Sequence, residues 1–244
     1  MSLIALAAAA SLQTPAIELR PLGEDWQVRY SLAQPATVLH FDLPYDDYRQ
    51  TNWKPEDPAV RIVAEGDAVR AERSDGRAFS TLSFRLRARY REVPKNYAPF
   101  SPYSDGSLLI YTGQFHACAT GPCAPGSSWT IRVPGKPPIM DRGDGTLVYV
   151  GRSKPVANPH VVSVIDPGLP ASVRAQLDAL LPKLTAYFTA AFGPLDKRPM
   201  LFASLDQWPR PDSGLSYQGG TLPGQVFLHF YGSDWRRHSD KADF

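Results

Sequence analysis

Strict alternation of apolar and polar side chains runs from Thr81 to Arg91. Leu82, Phe84, Leu86, Ala88 and Tyr90 fall on one face, and Ser83, Arg85, Arg87, Arg89 and Arg91 on the other. Such a period marks a β-strand with one buried and one solvated face. The arginine stripe reads as that wet outer face, with an anion-binding surface as the sharper alternative. Shorter runs of the same kind recur at Trp26 to Leu32, Leu39 to Leu43, Val60 to Val63, Leu108 to Tyr111, Trp129 to Val133, Leu147 to Val150 and Val161 to Val164. Asp75-Gly76, Asp105-Gly106 and Asp144-Gly145 punctuate them as turns. Many short strands between turn signals predict an antiparallel β-sandwich over residues 17–165.

The period changes after Asp166-Pro167. Val173, Leu177, Leu180, Leu181, Leu184, Phe188 and Ala191 fall at helical spacing between Pro170 and Phe192. Pro170 suits a first helical turn and Gly193 the position just past the last one. Pro182 inside this stretch is expected to kink or split the helix. Strands are expected at Met200 to Leu205 and at Gln225 to Phe230. The fold class is therefore mainly β: a sandwich followed by a small α+β segment, residues 166–244, with one long helix and a short sheet.

Composition narrows the function. A net charge of +2 gives no electrostatic reason to expect nucleic acid or anionic membrane as partner. The apolar run Leu3 to Leu12 is too short to span a bilayer and suits the core of a signal peptide ending near residue 16, although no Lys or Arg precedes it. Export to the periplasm or medium, without a transmembrane anchor, is the expectation. Cys118 and Cys123 agree, since a short loop with a Gly121-Pro122 turn suits a local disulfide in an oxidising compartment. Two other readings of this loop are free thiols and a metal site with His116. Structural zinc needs a closed ligand set, and no residue completes one here. Asp141 to Gly145 superficially suggests a calcium loop but lacks its ligand spacing, so a hairpin turn is the better account.

The order of elements and the stretch from about Val164 to Leu228 resemble the zinc metallopeptidases of the aminopeptidase N, leukotriene-hydrolase and glycyl aminopeptidase type. The stretches carrying the resemblance are Tyr187 to Pro194, closing the helix on Phe192-Gly193, then Arg198 to Ala203, then Gly219-Gly220-Thr221-Leu222-Pro223-Gly224. The resemblance implies a sandwich followed by the start of a thermolysin-like domain, with an edge strand lining the cleft for a peptide substrate. Gly219, Gly220, Thr221 and Leu222 are the substrate-binding residues it implies. Leu222 stands where the family's exopeptidase motif carries a Glu that holds the substrate's free amine, which puts aminopeptidase specificity in doubt. The bland alternative for the glycine pair is a flexible turn.

No His-Glu-x-x-His occurs in the chain. Its histidines are His40, His116, His160, His229 and His238, and no two are spaced as zinc ligands on a helix. No catalytic residue or metal ligand is therefore assigned, and zinc is expected only in a full-length relative. Ser239 to Phe244 reads as a helix N-cap and first turn, which leads to the expectation of a chain cut ahead of its catalytic helix. The function expected is the non-catalytic N-terminal part of an exported metallopeptidase-like protein, with an uncovered apolar face that would favour self-association. The alternative is a self-contained secreted sandwich that binds glycan or peptide through Tyr45, Tyr48 and Trp53, whose bland reading is loop packing. A serine hydrolase is a poor third option, since no Gly-x-Ser-x-Gly elbow appears and Ser107 sits at a hairpin.

Overall fold

A computed structural model describes residues 14–43, 48–66, 68–93, 95–119, 121–194, 196–206 and 216–231. In chain order the elements begin with β1 (Ala16–Leu22), β2 (Asp25–Ala36), β3 (Val38–Phe41), α1 (Tyr48–Asn52), β4 (Trp53–Pro55), β5 (Val60–Glu65), β6 (Ala68–Arg73) and β7 (Phe79–Arg87). They continue with β8 (Phe100–Pro102), β9 (Leu108–Tyr111), β10 (Ala117–Cys118), β11 (Ser128–Arg132), β12 (Ile139–Arg142) and β13 (Leu147–Val150). The last are β14 (Val156–Ala157), β15 (Val162–Ile165), α2 (Ala171–Phe192), β16 (Met200–Leu205), β17 (Ser216–Leu222) and β18 (Gln225–Tyr231). The fold is mainly β, as the alternation predicts, and divides into two compact units. The signal-peptide stretch up to residue 13, Tyr45, His238 and the predicted N-cap at Ser239 lie outside the described residues.

The first unit runs to Leu86 and resumes over Phe115–Gly143. It holds a six-stranded sheet, β12-β11-β1-β2-β7-β4, and a four-stranded sheet, β10-β3-β6-β5. Alternation decides which side chains meet between them: Val28 and Tyr30 from β2, Leu82, Phe84 and Leu86 from β7, and Leu39 and Phe41 from β3 are buried. The Phe41 ring lies 5.3 Å from Trp53 and 6.1 Å from Phe84, so aromatic edges from both sheets interlock. The arginines of β7 stay on the outer face, where Arg85 pairs with Glu56. The strand ends at Arg87, earlier than the alternation suggests. Tyr90 packs in the second unit instead, its ring 3.9 Å from that of His229.

The residues around β10 are tied to one another. Its pairing with β3 sets Cys118 opposite His40, and Cys118 is bonded to Cys123 across a Cα separation of 5.3 Å. His116, two residues before Cys118, faces a carboxylate. Its Nε2 lies 2.9 Å from Asp141 Oδ2, with both residues buried, and its ring stacks on Trp129 at 3.8 Å. An ionised carboxylate can only accept, so Nε2–H is the donor. The Trp129 indole N–H in turn donates to the Ala117 carbonyl at 2.9 Å.

The second unit covers Arg87–Gln114 and the chain from Asp144 onward. A five-stranded sheet, β14-β15-β16-β18-β17, carries α2 on one face. Helical spacing brings Val173 and Leu177 onto Ala203, Leu205 and Phe230. The opposite face meets residues from Arg87–Gln114: Tyr97 contacts Phe227 edge-on at 4.8 Å, and the Tyr103 hydroxyl donates to the Val164 carbonyl at 3.2 Å. Helix α2 runs unbroken through Pro182. Of its apolar face, Val173 and Leu177 are buried, but Leu184 and Phe188 are 41% and 47% exposed and Phe192 is 82% exposed. Packing therefore supports the first turns and leaves the last ones with an uncovered aromatic end.

Asp166, in the turn between β15 and α2, is fully buried and saturated with donors. Its Oδ2 accepts the N–H groups of Ser104 at 2.7 Å and Leu205 at 2.8 Å. Its Oδ1 accepts the Gly168 N–H at 2.8 Å and the Ser104 hydroxyl. Arg174, one turn into α2, reaches back to the carbonyls of Asp166 and Leu169, each at 3.2 Å.

Two outcomes follow from the first unit. Alkylation before reduction should label neither Cys118 nor Cys123 in oxidised protein, and both afterwards; labelling without reductant would contradict the bond. Asp141→Ala leaves a buried imidazole N–H without its acceptor, which costs about 1–3 kcal/mol. Urea unfolding should show that loss, and a change below about 0.5 kcal/mol would mean the pair contributes nothing.

Candidate functional site

Residues 216–222 form the edge strand β17 of the five-stranded sheet, paired antiparallel with β18 from Ser216↔Tyr231 to Leu222↔Gln225. Pro223 and Gly224 join the two strands. Proline presets φ for the first turn position, and Gly224 takes φ of 72°, where a side chain would be strained. The hairpin thus fixes register and, among the described residues, leaves one margin of β17 without a neighbouring strand.

All the residues singled out from the sequence lie on this strand. Gly219 and Thr221 are exposed, Gly220 is half-buried, and Leu222 is buried at 8% exposure. Leu222 therefore packs inward and presents no side chain to a ligand. Gly220 is dictated by contact: a Cβ there would sit 2.4 Å from the Tyr97 ring. At Gly219 a Cβ would meet Leu228 at 2.9 Å. The pair is thus a place of close approach, and the turn of this hairpin lies further on, at Pro223-Gly224.

Tyr97 was missed in the sequence, where it is one aromatic in a proline-rich stretch. Its hydroxyl donates to the Thr221 carbonyl and accepts from the Thr221 N–H, both at 3.2 Å. Its ring lies 5.2 Å from that of Tyr111, and the Gln114 side chain donates to its carbonyl at 2.9 Å. Gln225, opposite Leu222, is a second fixture. Its Oε1 accepts from the Thr146 hydroxyl at 2.9 Å and the Leu147 N–H at 2.8 Å, and its Nε2 donates to the Leu147 carbonyl at 2.9 Å. These bonds clamp the hairpin end of β18 to β13.

Several polar groups elsewhere in the second unit point inward. Ser204 and His229 sit opposite each other on β16 and β18, both fully buried, with Oγ and Nδ1 2.7 Å apart. Burial holds the Tyr103 phenol well above its ordinary pKa, helped by Tyr149 and the carboxylates of Asp166 and Asp105, so it remains a neutral donor. Ser107 accepts from the Tyr149 hydroxyl and is buried. Among the described residues no group of three or more His, Cys, Asp or Glu side chains converges as a metal site. Of the aromatics of the binding-module alternative, the two described are buried, Tyr48 at 7% and Trp53 at 2% exposure, so these two pack rather than face a ligand.

No family profile and no curated protein sequence matches the chain. Solved structures do. An aminopeptidase N family protein from Idiomarina loihiensis superposes with a TM-score of 0.53 at 10% identity, over 93% of this chain and 44% of that one. An M1 zinc metallopeptidase from Deinococcus radiodurans gives 0.32 at 14% identity, over 93% of this chain and 62% of that one. A two-domain M1 zinc metallopeptidase bound to L-arginine gives 0.36 at 14% identity, over 93% and 63%. The chain thus spans less than two thirds of each of these structures. Through the first of them, nearly the whole chain has the fold of an aminopeptidase N family protein.

Proposed function

We propose that this chain is the non-catalytic N-terminal part of an exported aminopeptidase-like protein, and that the outer margin of β17 receives an extended peptide. The observation that carries the reading is the coverage of the fold match, 93% of this chain against 44% of the structure it resembles. The sequence holds no His-Glu-x-x-His, and the described residues bring no metal-ligating cluster together. Catalysis by a zinc-bound water needs ligands and a general base in one place. The disulfide fits an oxidising compartment, in line with export. Among the described residues no helix is long and apolar enough to cross a membrane.

A peptide margin also suits the physics of an edge strand. Backbone N–H and C=O groups pointing outward bind another extended chain through main-chain bonds, largely regardless of its side chains. The exposed end of α2 supports the same reading from the other side of the sheet. Leu180, Leu184, Phe188 and Phe192 form a sizeable apolar surface, of the kind that another domain covers. Two of the three aromatics named for a self-contained binding module, Tyr48 and Trp53, are core residues.

Dialysed protein should retain only substoichiometric zinc and hydrolyse no aminoacyl anilide; one zinc held per chain together with hydrolysis would contradict the reading. The end of α2 supplies a second check. Leu184→Lys with Phe188→Lys should change the stability of the isolated chain by less than about 0.5 kcal/mol, whereas Leu177→Ala should cost about 2–5 kcal/mol. Equal losses in urea unfolding would mean that the chain covers this surface itself.

A further inference from the structure

We infer that the Tyr97 hydroxyl occupies one ladder position on the margin of β17, and so sets where a docked peptide must stop. This inference rests on the edge-strand reading above. In an antiparallel pair, residues alternate between turning both backbone groups toward the neighbour and turning both away. Thr221 turns its pair away from β18, since the Tyr97 hydroxyl meets both its N–H and its C=O. One oxygen accepts and donates there as the opposing residue of a neighbouring strand would. The strand period then turns the pair of Gly219 to the same margin. Gly219 is exposed, and among the described residues nothing bonds to it on that side.

Among the described residues the margin is thus open at Gly219 and closed at Thr221, two residues toward the hairpin. An extended chain approaching Gly219 gains both bonds of a ladder pair. Continuing toward Pro223, it collides with the Tyr97 ring, which is held by Phe227 and Tyr111 and lies over Gly220. To pass, the peptide must expel a side chain whose two hydrogen bonds it can only replace, not add to. The ligand class favoured is an extended peptide that stops at Thr221, and the interior of a longer strand is excluded there. Tyr97 is on this account a positioning residue that sets where the ligand stops, acting through the edge of β17.

Tyr97→Phe tests this, because it keeps the ring on Gly220 and removes only the hydroxyl. In the variant without ligand, the Thr221 amide should exchange about 3- to 10-fold faster, the loss expected for one hydrogen bond. The amides of Phe202 and Phe227 should be unchanged and report intact folding. A second arm adds the peptide acetyl-Lys-Thr-Val-Thr-Val-Lys-amide. It should slow exchange at Gly219 in both proteins and at Thr221 only in the variant, where Thr221 has become available. Unchanged exchange at Thr221 in the free variant would overturn the inference, as would added protection of Thr221 by the peptide in the unmodified protein. Faster exchange in the variant with no protection by peptide in either protein would support the closed position and sink the docking reading alone.

Discussion

The carboxylate of Asp166 is the constraint on which the second unit depends. A fully buried carboxylate is costly unless its oxygens are filled with donors, and here four donors from three places fill it. Ser104 comes from the β8–β9 connection, Leu205 from the end of β16, and Gly168 from the turn that launches α2. Bonds to a charged acceptor are each worth about 1.5–3 kcal/mol, comparable to burying a whole leucine side chain at about 1.5–3 kcal/mol. The group also fixes position. The Asp166 N–H donates to the Ala203 carbonyl at 2.7 Å, so side chain and backbone together pin the parallel register of β15 on β16.

Geometry then passes outward along the sheet. β16 sets β18 by parallel pairing, from Met200↔Gln225 to Leu205↔Phe230, and β18 sets β17 through the Pro223-Gly224 turn. On the helix face Leu205 and Phe230 receive Leu177, while the opposite face carries Tyr97 against Phe227. Gly220 lets that ring come close enough for its hydroxyl to reach Thr221. A buried charge near one end of the sheet and a glycine on its edge strand thus belong to one chain of contacts. Preorganised backbone of this kind loses little entropy when a second strand pairs with it.

What the sequence made legible was whatever has a period. Alternation located β2, β7 and β11, and helical spacing located α2 with nearly its observed bounds, because burial of one face imposes those periods directly. Phe192-Gly193 and the Gly219 to Leu228 stretch were enough to recognise the fold. Other features depend on contacts distant in sequence. Tyr90 continues the alternation of β7 in sequence yet leaves the strand, since its ring finds a better surface on His229. Trp53 and Tyr48 read as loop aromatics, and the core they fill comes from strands far along the chain. Asp166-Pro167 looks like an ordinary turn, and nothing local announces that Ser104 and Leu205 converge on it. Tyr97 is silent for the same reason, with Thr221 more than a hundred residues away.

Asp166 either holds its three partners as one body or acts only within its own turn. Asp166→Asn keeps the shape, removes the charge and brings an amide with two donors of its own into a site already full of donors. Native-state hydrogen exchange of this variant should show the Leu205 and Gly168 amides and those of β18 opening together, at one shared and lowered free energy. Faster exchange confined to Gly168, with β16 and β18 as protected as before, would contradict it and reduce Asp166 to a local turn residue.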